Sequence, residues 1–420
     1  ELPVIYQPIY ETQGLPDTVY EIRAAEDVVT PDGTLRYSKG ELVDTVTTDE
    51  MGFAESKELY LGKYEVKEVK AGYGMVLSDE VHTVELIYAG QNVAVTETAT
   101  SFVNERQKVE VSLEKALETS ELFGVGNNDE IKNISFGLFA DEELVSASGT
   151  SIPKDGLIEI ITLDENGKAT VKTDLPLGSY YVKELATDEH YQLSSEKYPV
   201  VFEYAGQETA TVAIAVNNGE PMENKLIYGS VSGKKVDENG EGLGGALIGL
   251  FKSDDVEFTE ENALMTAVSG DDGSFSFENV PYGNWYIREI EQPNGFVLDE
   301  TVYDVNISEN GQIVEIEIVN ELIRGNIALT KVDAEYTDTK LTGAVFEVYK
   351  DSNDNGELDG EDELIGTLTE KEIGQYEMND LLYGRYFVKE TKAPEGFTLD
   401  EGVYEVFIDT DGKTYQVENT

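Results

Sequence analysis

Along this chain apolar and polar residues alternate in short runs broken by Gly, Pro, Asn and Asp, the period of a half-buried β-strand and not of a helix. One run is spelled four times. It reads GKYEVKE at 62–68, GSYYVKE at 178–184, GNWYIRE at 283–289 and GRYFVKE at 384–390. Period two sets Tyr64, Val66 and Glu68 on one face, then Tyr180, Val182 and Glu184, then Trp285, Ile287 and Glu289, then Tyr386, Val388 and Glu390. Each copy aims a carboxyl group where its apolar neighbours point, an expensive place for a charge.

The same order of segments surrounds each copy. An early strand is expected at 18–24, 134–140, 246–252 and 344–350, followed by an acidic turn bearing Gly, such as 164–167 or 271–273. After the repeated run come a turn, a segment containing Leu and one more strand, HTVELIY, YPVVFEY, TVYDVNI or GVYEVFI. Short strands and frequent turns predict an all-β protein of four tandem immunoglobulin-like sandwiches, over 1–106, 107–225, 226–322 and 323–420. The junctions near 104, 224 and 320 are not rich in Pro, Gly and Ser, so flexible linkers are not indicated and the beads are expected close together in a rod.

Composition narrows the function. With 85 acids against 30 bases, a formal charge of −55 over 420 residues makes nucleic acid and anionic membrane poor partners by repulsion, and a solvated acidic coat is the plainer reading of that charge. There is no cysteine, which removes disulfides, thiolate metal sites and internal thioesters. The two histidines, His82 and His190, fall in different repeats and form no cluster. No apolar run is long enough to span a membrane and residue 1 does not begin a signal peptide, so the chain reads as a mature or trimmed segment. Nothing here suggests an enzyme.

The outer strands of the repeats supply the chemistry. Val109, Val111, Leu113 and Lys115 share a face, as do Val231, Gly233 and Lys235, and Ile327, Leu329 and Lys331. At the far ends, Met222 and Asn224 share a face, as do Val314, Ile316, Ile318 and Asn320, and Tyr415, Val417 and Asn419. Three repeats thus carry an inward Lys early, an inward Glu in the middle and an inward Asn late. For the second repeat Asn217 is a rival to Asn224. The first repeat keeps Glu68 and Asn104, but VIYQPIYETQG offers no early Lys.

These strands, with KVDENG, GLGGALIGLFK and EQPNGFVLDE in the third repeat and KVDAEYTD, LTGAVFEVYK and KAPEGFTLDE in the fourth, resemble the B-type (Cna-B) repeats of bacterial collagen adhesins and the related SpaA-like domains of Gram-positive pilins. The resemblance covers all four repeats. It implies a prealbumin-like sandwich and an extracellular place on a bacterial cell wall, in a monomer anchored there covalently in the full-length protein. It also implies that a Lys amine and an Asn amide condense into an intramolecular isopeptide bond with help from the Glu. Carried over, the trios are Lys115, Glu184 and Asn224; Lys235, Glu289 and Asn320; Lys331, Glu390 and Asn419. Three bonds are expected, and none in the first repeat unless the chain has lost an upstream strand.

Physical chemistry supports such a reaction. Full burial lowers the pKa of a Lys amine and raises that of a Glu, giving a neutral nucleophile beside a protonated acid. A fold that holds amine against amide supplies effective molarities of about 10⁵ to 10⁸ M. The other reading of the same residues is a buried Lys–Glu ion pair capped by Asn, with no bond.

Two further segments carry expectations. In DSNDNGELDGED at 351–362, Asp351, Asn353, Asn355, Glu357, Asp359 and Asp362 follow the ligand spacing of an EF-hand calcium loop, with Asp in the last place, and an acidic hairpin is the alternative. Leu15 to Thr18 spell most of a sortase sorting signal, but Val19 replaces its Gly and no apolar, basic tail follows, so they read as a turn. The pilin signature Tyr-Pro-Lys is absent, which favours a stalk or adhesin segment over a polymerised shaft. The alternative function is a module that binds a host extracellular protein or a glycan through the loops at 27–40 and 141–156.

Overall fold

The computed structural model describes residues 3–146 and 148–419, and of Asn419 the backbone alone. The chain is nearly all-β, and its contacts divide it into two units, 1–226 and 227–420.

In the first unit, the repeated run of the first repeat forms the strand Gly62–Lys70. It lies between Val19–Ala24 and Val81–Leu86, with Leu42–Thr47 at the far edge, all antiparallel. Pro16 and Asp17 make the turn into Val19–Ala24, with Asp17 in the left-handed region at φ 56°. The second repeat repeats this sheet as Leu157–Thr162, Ser135–Ala140, Gly178–Ala186 and Lys197–Phe202. Facing it is a second sheet built on Lys108–Leu117, which pairs antiparallel with Lys168–Thr170 and parallel with both Thr211–Ala215 and Met222–Asn224. Phe136, Leu138, Tyr180, Val182 and Val200 from one sheet and Val111, Leu113 and Met222 from the other make the core.

Among the described residues the first repeat has no such second sheet. Residues 3–16, 53–61 and 87–105 carry no strand. Its buried apolar cluster is correspondingly small, made of Ile22, Ala24, Val28, Val43 and Tyr64. The insertions flagged as contact loops fold as short hairpins, Val28–Val29 with Leu35–Tyr37 and Leu144–Val145 with Ser151–Ile152.

In the second unit both repeats are closed sandwiches. The third sets Met265–Val268, Leu247–Lys252, Gly283–Glu291 and Tyr303–Ile307 against Ser274–Pro281, Tyr228–Asp237 and Ile313–Asn320. The fourth sets Glu363–Thr367, Val345–Lys350, Gly384–Lys392 and Val403–Ile408 against Thr369–Glu372, Gln375–Leu382, Arg324–Lys331 and Thr414–Asn419.

Within each unit the repeats are tied by hydrogen bonds, as junctions poor in Gly and Ser suggest. Tyr204 donates its hydroxyl to the Met75 carbonyl at 2.7 Å, and the Ala71 N–H donates to the Gln207 side chain at 2.9 Å. In the second unit the Ile323 N–H donates to the Gly295 carbonyl at 2.9 Å, and Arg324 pairs with Glu238 at 2.7 Å.

The repeated run has a local reason for its form. Its glycine enters the strand at positive φ, 136° at Gly283 and 140° at Gly384, where a Cβ would be strained. Two residues on, the aromatic reaches back to the carbonyl four residues before it. Tyr64 bonds Tyr60 at 2.6 Å, Tyr180 bonds Pro176 at 2.6 Å, the Trp285 indole bonds Pro281 at 2.8 Å and Tyr386 bonds Leu382 at 2.8 Å. A buried ring with a donor at its tip satisfies that requirement, and Phe does not.

Candidate functional site

Inside the second repeat, Lys115, Glu184 and Asn224 meet. The Lys115 amine donates to Asn224 Oδ1 at 2.6 Å and lies 3.3 Å from Glu184 Oε1, with both charged side chains only 1% exposed. Asn224 Nδ2 donates to Glu184 at 2.8 Å and to the Thr187 hydroxyl at 2.9 Å. Asn217, the rival, stands on a left-handed turn and donates to the Glu220 carbonyl. Parallel pairing of the outer strands brings Asn224 to Lys115, with Met222 opposite Lys115 and Asn224 two residues on.

The third repeat is built alike. Lys235 lies opposite Ile318 with Asn320 two residues on, its amine 3.5 Å from Glu289 Oε1 and 3.3 Å from the Ile318 carbonyl. Asn320 Nδ2 donates to Glu289 Oε2 at 2.9 Å and to the Val297 carbonyl at 2.8 Å. Among the described residues, Glu289 Oε1 and Asn320 Oδ1 are buried without a hydrogen bond.

Burial pulls the Lys115 and Lys235 amines below their ordinary pKa, while Glu184 and Glu289 respectively pull the other way. Burial likewise pushes the Glu289 carboxyl up, against the hydrogen bonds it accepts from the Asp299 N–H and Asn320.

In the fourth repeat Lys331 lies 3.3 Å from Glu390, and both are buried. The side chain of Asn419 lies outside the described residues. Its backbone pairs directly with Lys331, the rung that Ile318 holds opposite Lys235. The first repeat keeps two members of the trio. Asn104 Nδ2 donates to Glu68 at 2.7 Å and to the Val76 carbonyl at 3.0 Å.

Sequence reasoning missed one element of every site. The backbone N–H ten residues after each glutamate donates to its carboxylate, from Ser78 at 3.1 Å, Ser194 at 2.8 Å, Asp299 at 2.8 Å and Asp400 at 2.7 Å. The fixed spacing of the Leu-bearing segment after each run was its signal.

The residues expected as calcium ligands are bonded to one another and to the loop's own backbone. Among the described residues no group of three or more His, Cys, Asp or Glu side chains is placed to hold an ion. Asp351 accepts the Asn355 and Gly356 N–H groups and lies 3.4 Å from Arg385. Asp362 accepts the Ser352 and Asp359 N–H groups, while Asp359 accepts the Asn353 and Asn355 side-chain amides. Asn355 also accepts the Glu357 N–H. The acids and amides satisfy the turn itself, as short polar side chains do in Asx motifs.

Tandem β-sandwiches with a lysine and a carboxyl sealed in the core of three of them define a class of prealbumin-like module. The chain belongs to the SpaA prealbumin-like fold domain family, matched over residues 10–100, 123–218, 229–322 and 325–420. It is similar to Colossin-A of Dictyostelium discoideum, 22% identical over 86% of this chain and 3% of that protein. It is also similar to the trypsin-resistant surface T6 protein of Streptococcus pyogenes, 36% identical over 19% of this chain and 13% of that protein. The chain thus spans a small part of either relative. Among solved structures, the Bacillus anthracis TIE protein shares the fold with a TM-score of 0.53 and 19% identity, over 96% of this chain and 69% of that one. Among the described residues no helix is long and apolar enough to cross a membrane.

Proposed function

We propose that the chain is a stretch of a bacterial surface stalk or adhesin, exposed outside the cell, whose sandwiches are closed by isopeptide bonds between Lys115 and Asn224 and between Lys235 and Asn320. The 2.6 Å approach of the Lys115 amine to the Asn224 amide, in a site sealed from water beside Glu184, carries this reading.

In the reactive form the lysine is a neutral amine and the carboxyl holds the proton. In the third repeat one half-turn of the Asn320 amide brings Oδ1 to that O–H, giving the unpartnered oxygen a donor and making Cγ electrophilic. The Nζ lone pair attacks Cγ, the carboxyl relays a proton from Nζ to Nδ2, and the Cγ–Nδ2 bond breaks. One ammonia leaves and one amide bond remains. Each site reacts once, so this is self-modification and not turnover.

The proposal extends to Lys331 and Asn419. Their strands are likewise neighbours and parallel, with Lys331 paired to Asn419.

Mechanical load supplies the use. Lysine and asparagine strands are neighbours and parallel, so tension applied where the chain enters one and leaves the other shears them past each other. A covalent link from Lys235 to Asn320 carries that force past the residues between. Tandem mass spectrometry of a digest, finding peptides joined through Lys115 to Asn224 and through Lys235 to Asn320, tests the proposal; separate linear peptides refute it. A second reading, capture of a host protein or glycan, draws on the hairpins within 27–40 and 141–156, and an array of such ligands tests it.

A further inference from the structure

In the third and fourth repeats the residue whose N–H supports the glutamate is itself an acid, Asp299 or Asp400. Its carboxyl is engaged elsewhere. Asp299 Oδ2 accepts the Tyr303 hydroxyl at 2.7 Å and Oδ1 accepts the Thr301 N–H at 3.0 Å. Asp400 accepts the Tyr404 hydroxyl and the Gly402 N–H in the same way. Both tyrosines stand at the start of the next strand, Tyr303–Ile307 or Val403–Ile408. The second repeat is different, because Ser194 takes the acid's place and its hydroxyl oxygen accepts the Glu196 N–H at 3.3 Å.

A second acid at this place works against the reaction. Partial burial pushes the Asp299 carboxyl up, but the bonds from Thr301 and Tyr303 and the charge of Lys235 hold it below the ordinary carboxylate range, so it is ionised. The lysine feels that charge. Burial pulls the Lys235 amine down, while Glu289 and then Asp299 push it back toward the ammonium. An ammonium has no lone pair with which to attack Asn320. Tyr303 is suited to restrain the acid, since burial and the Asp299 carboxylate both raise the pKa of its hydroxyl and keep it a donor.

We infer that Tyr303 and Tyr404 are positioning residues for the condensation, each holding an aspartate carboxylate to itself and off the lysine, so that the amine can react uncharged. The inference rests on the condensation proposed above. Neither tyrosine touches the reacting atoms; each acts through its aspartate. Tyr198, at the corresponding place in the second repeat, has no acid at Ser194 to restrain and no such role.

The test follows the full 420-residue chain after cell-free synthesis, with tandem mass spectrometry of digests reading, over time, the fraction joined through Lys235 to Asn320. Tyr303→Phe keeps the ring and removes the hydroxyl. We expect it to slow joining in the third repeat by about tenfold or more, the effect on an amine's uncharged fraction of a carboxylate settling beside it. Joining through Lys115 to Asn224 in the same molecules should keep its rate, as it should in Tyr198→Phe. Adding Asp299→Asn to Tyr303→Phe removes the charge and should restore joining in the third repeat, a rescue that a merely structural hydrogen bond would not show. Joining at the unaltered rate in Tyr303→Phe overturns the inference, and so does slow joining in the double variant. If the unaltered chain yields no joined peptides, the condensation itself fails and this inference with it. If the unaltered chain and Tyr303→Phe join equally fast, only this inference falls.

Discussion

Gly273 lies directly against Lys235. Its carbonyl accepts the lysine N–H at 2.7 Å, its φ is +81°, and a Cβ built on it would stand 2.0 Å from the Lys235 carbonyl oxygen. Gly167 and Gly374 stand in the same relation to Lys115 and Lys331, each accepting the lysine N–H, at 2.7 Å and 2.8 Å. The acidic turn before each core strand thus sets the backbone of the reactive lysine. Gly273→Ala adds a strained φ, costing about 1 to 2 kcal/mol, to a collision with backbone. We expect a third repeat in which Lys235 is displaced and its bond is incomplete, read as a species heavier by one ammonia. Complete bonding in the variant would show that the turn does not position the lysine.

Tyr180 offers a second test, away from the reacting atoms. Its buried hydroxyl donates to the Pro176 carbonyl at 2.6 Å, and burial raises its pKa. Tyr180→Phe leaves that carbonyl without its partner at a cost of about 1 to 3 kcal/mol. Denaturant unfolding of the second repeat should register that loss with the ammonia count unchanged; an equal stability would mean that the aromatic is chosen for its ring alone.

Much of this was legible in the order of residues. Tyr180, Val182 and Glu184 on one face, and Lys115 and Asn224 on their own strands, follow from period two, and the structure brings the three together. The carboxylate's other partner was hidden because a backbone N–H belongs to Ser194 and Asp299 alike, and no side chain announces it. The fourth repeat shows the limit of the same rule. A slip of two residues keeps every side chain on its face, so alternation cannot tell whether Asn419 stands opposite Lys331 or two residues beyond it. In the first repeat, Val93 and Val95 alternate as a strand does, yet they lie in coil. The acids of 351–362 were ambiguous for a chemical reason, since carboxylates that ligate calcium also accept the amides of a tight turn.

The bonds should dominate the stability of the repeats that hold them. A link closing 235 to 320 removes about 4 to 5 kcal/mol of chain entropy on the disulfide analogy. Asn320→Ala, which leaves Lys235 and Glu289 buried without it, should lower the third repeat's melting transition by roughly 20 °C or more. Calorimetry that finds a shift of only a few degrees would favour the plain ion pair.

Calcium is expected to do little. With Asp351, Asp359 and Asp362 already engaged by the loop's own donors and Arg385, millimolar calcium should leave the melting of the fourth repeat where chelator leaves it. A rise that saturates with calcium would mean that the loop rearranges around the ion.

The most direct test of the account is the intact mass of the purified chain under denaturing conditions. We expect every molecule to fall short of the translated mass by three ammonias, and Lys115, Lys235 and Lys331 to resist amine labelling. A chain at its full translated mass, with those lysines labelled, would contradict it.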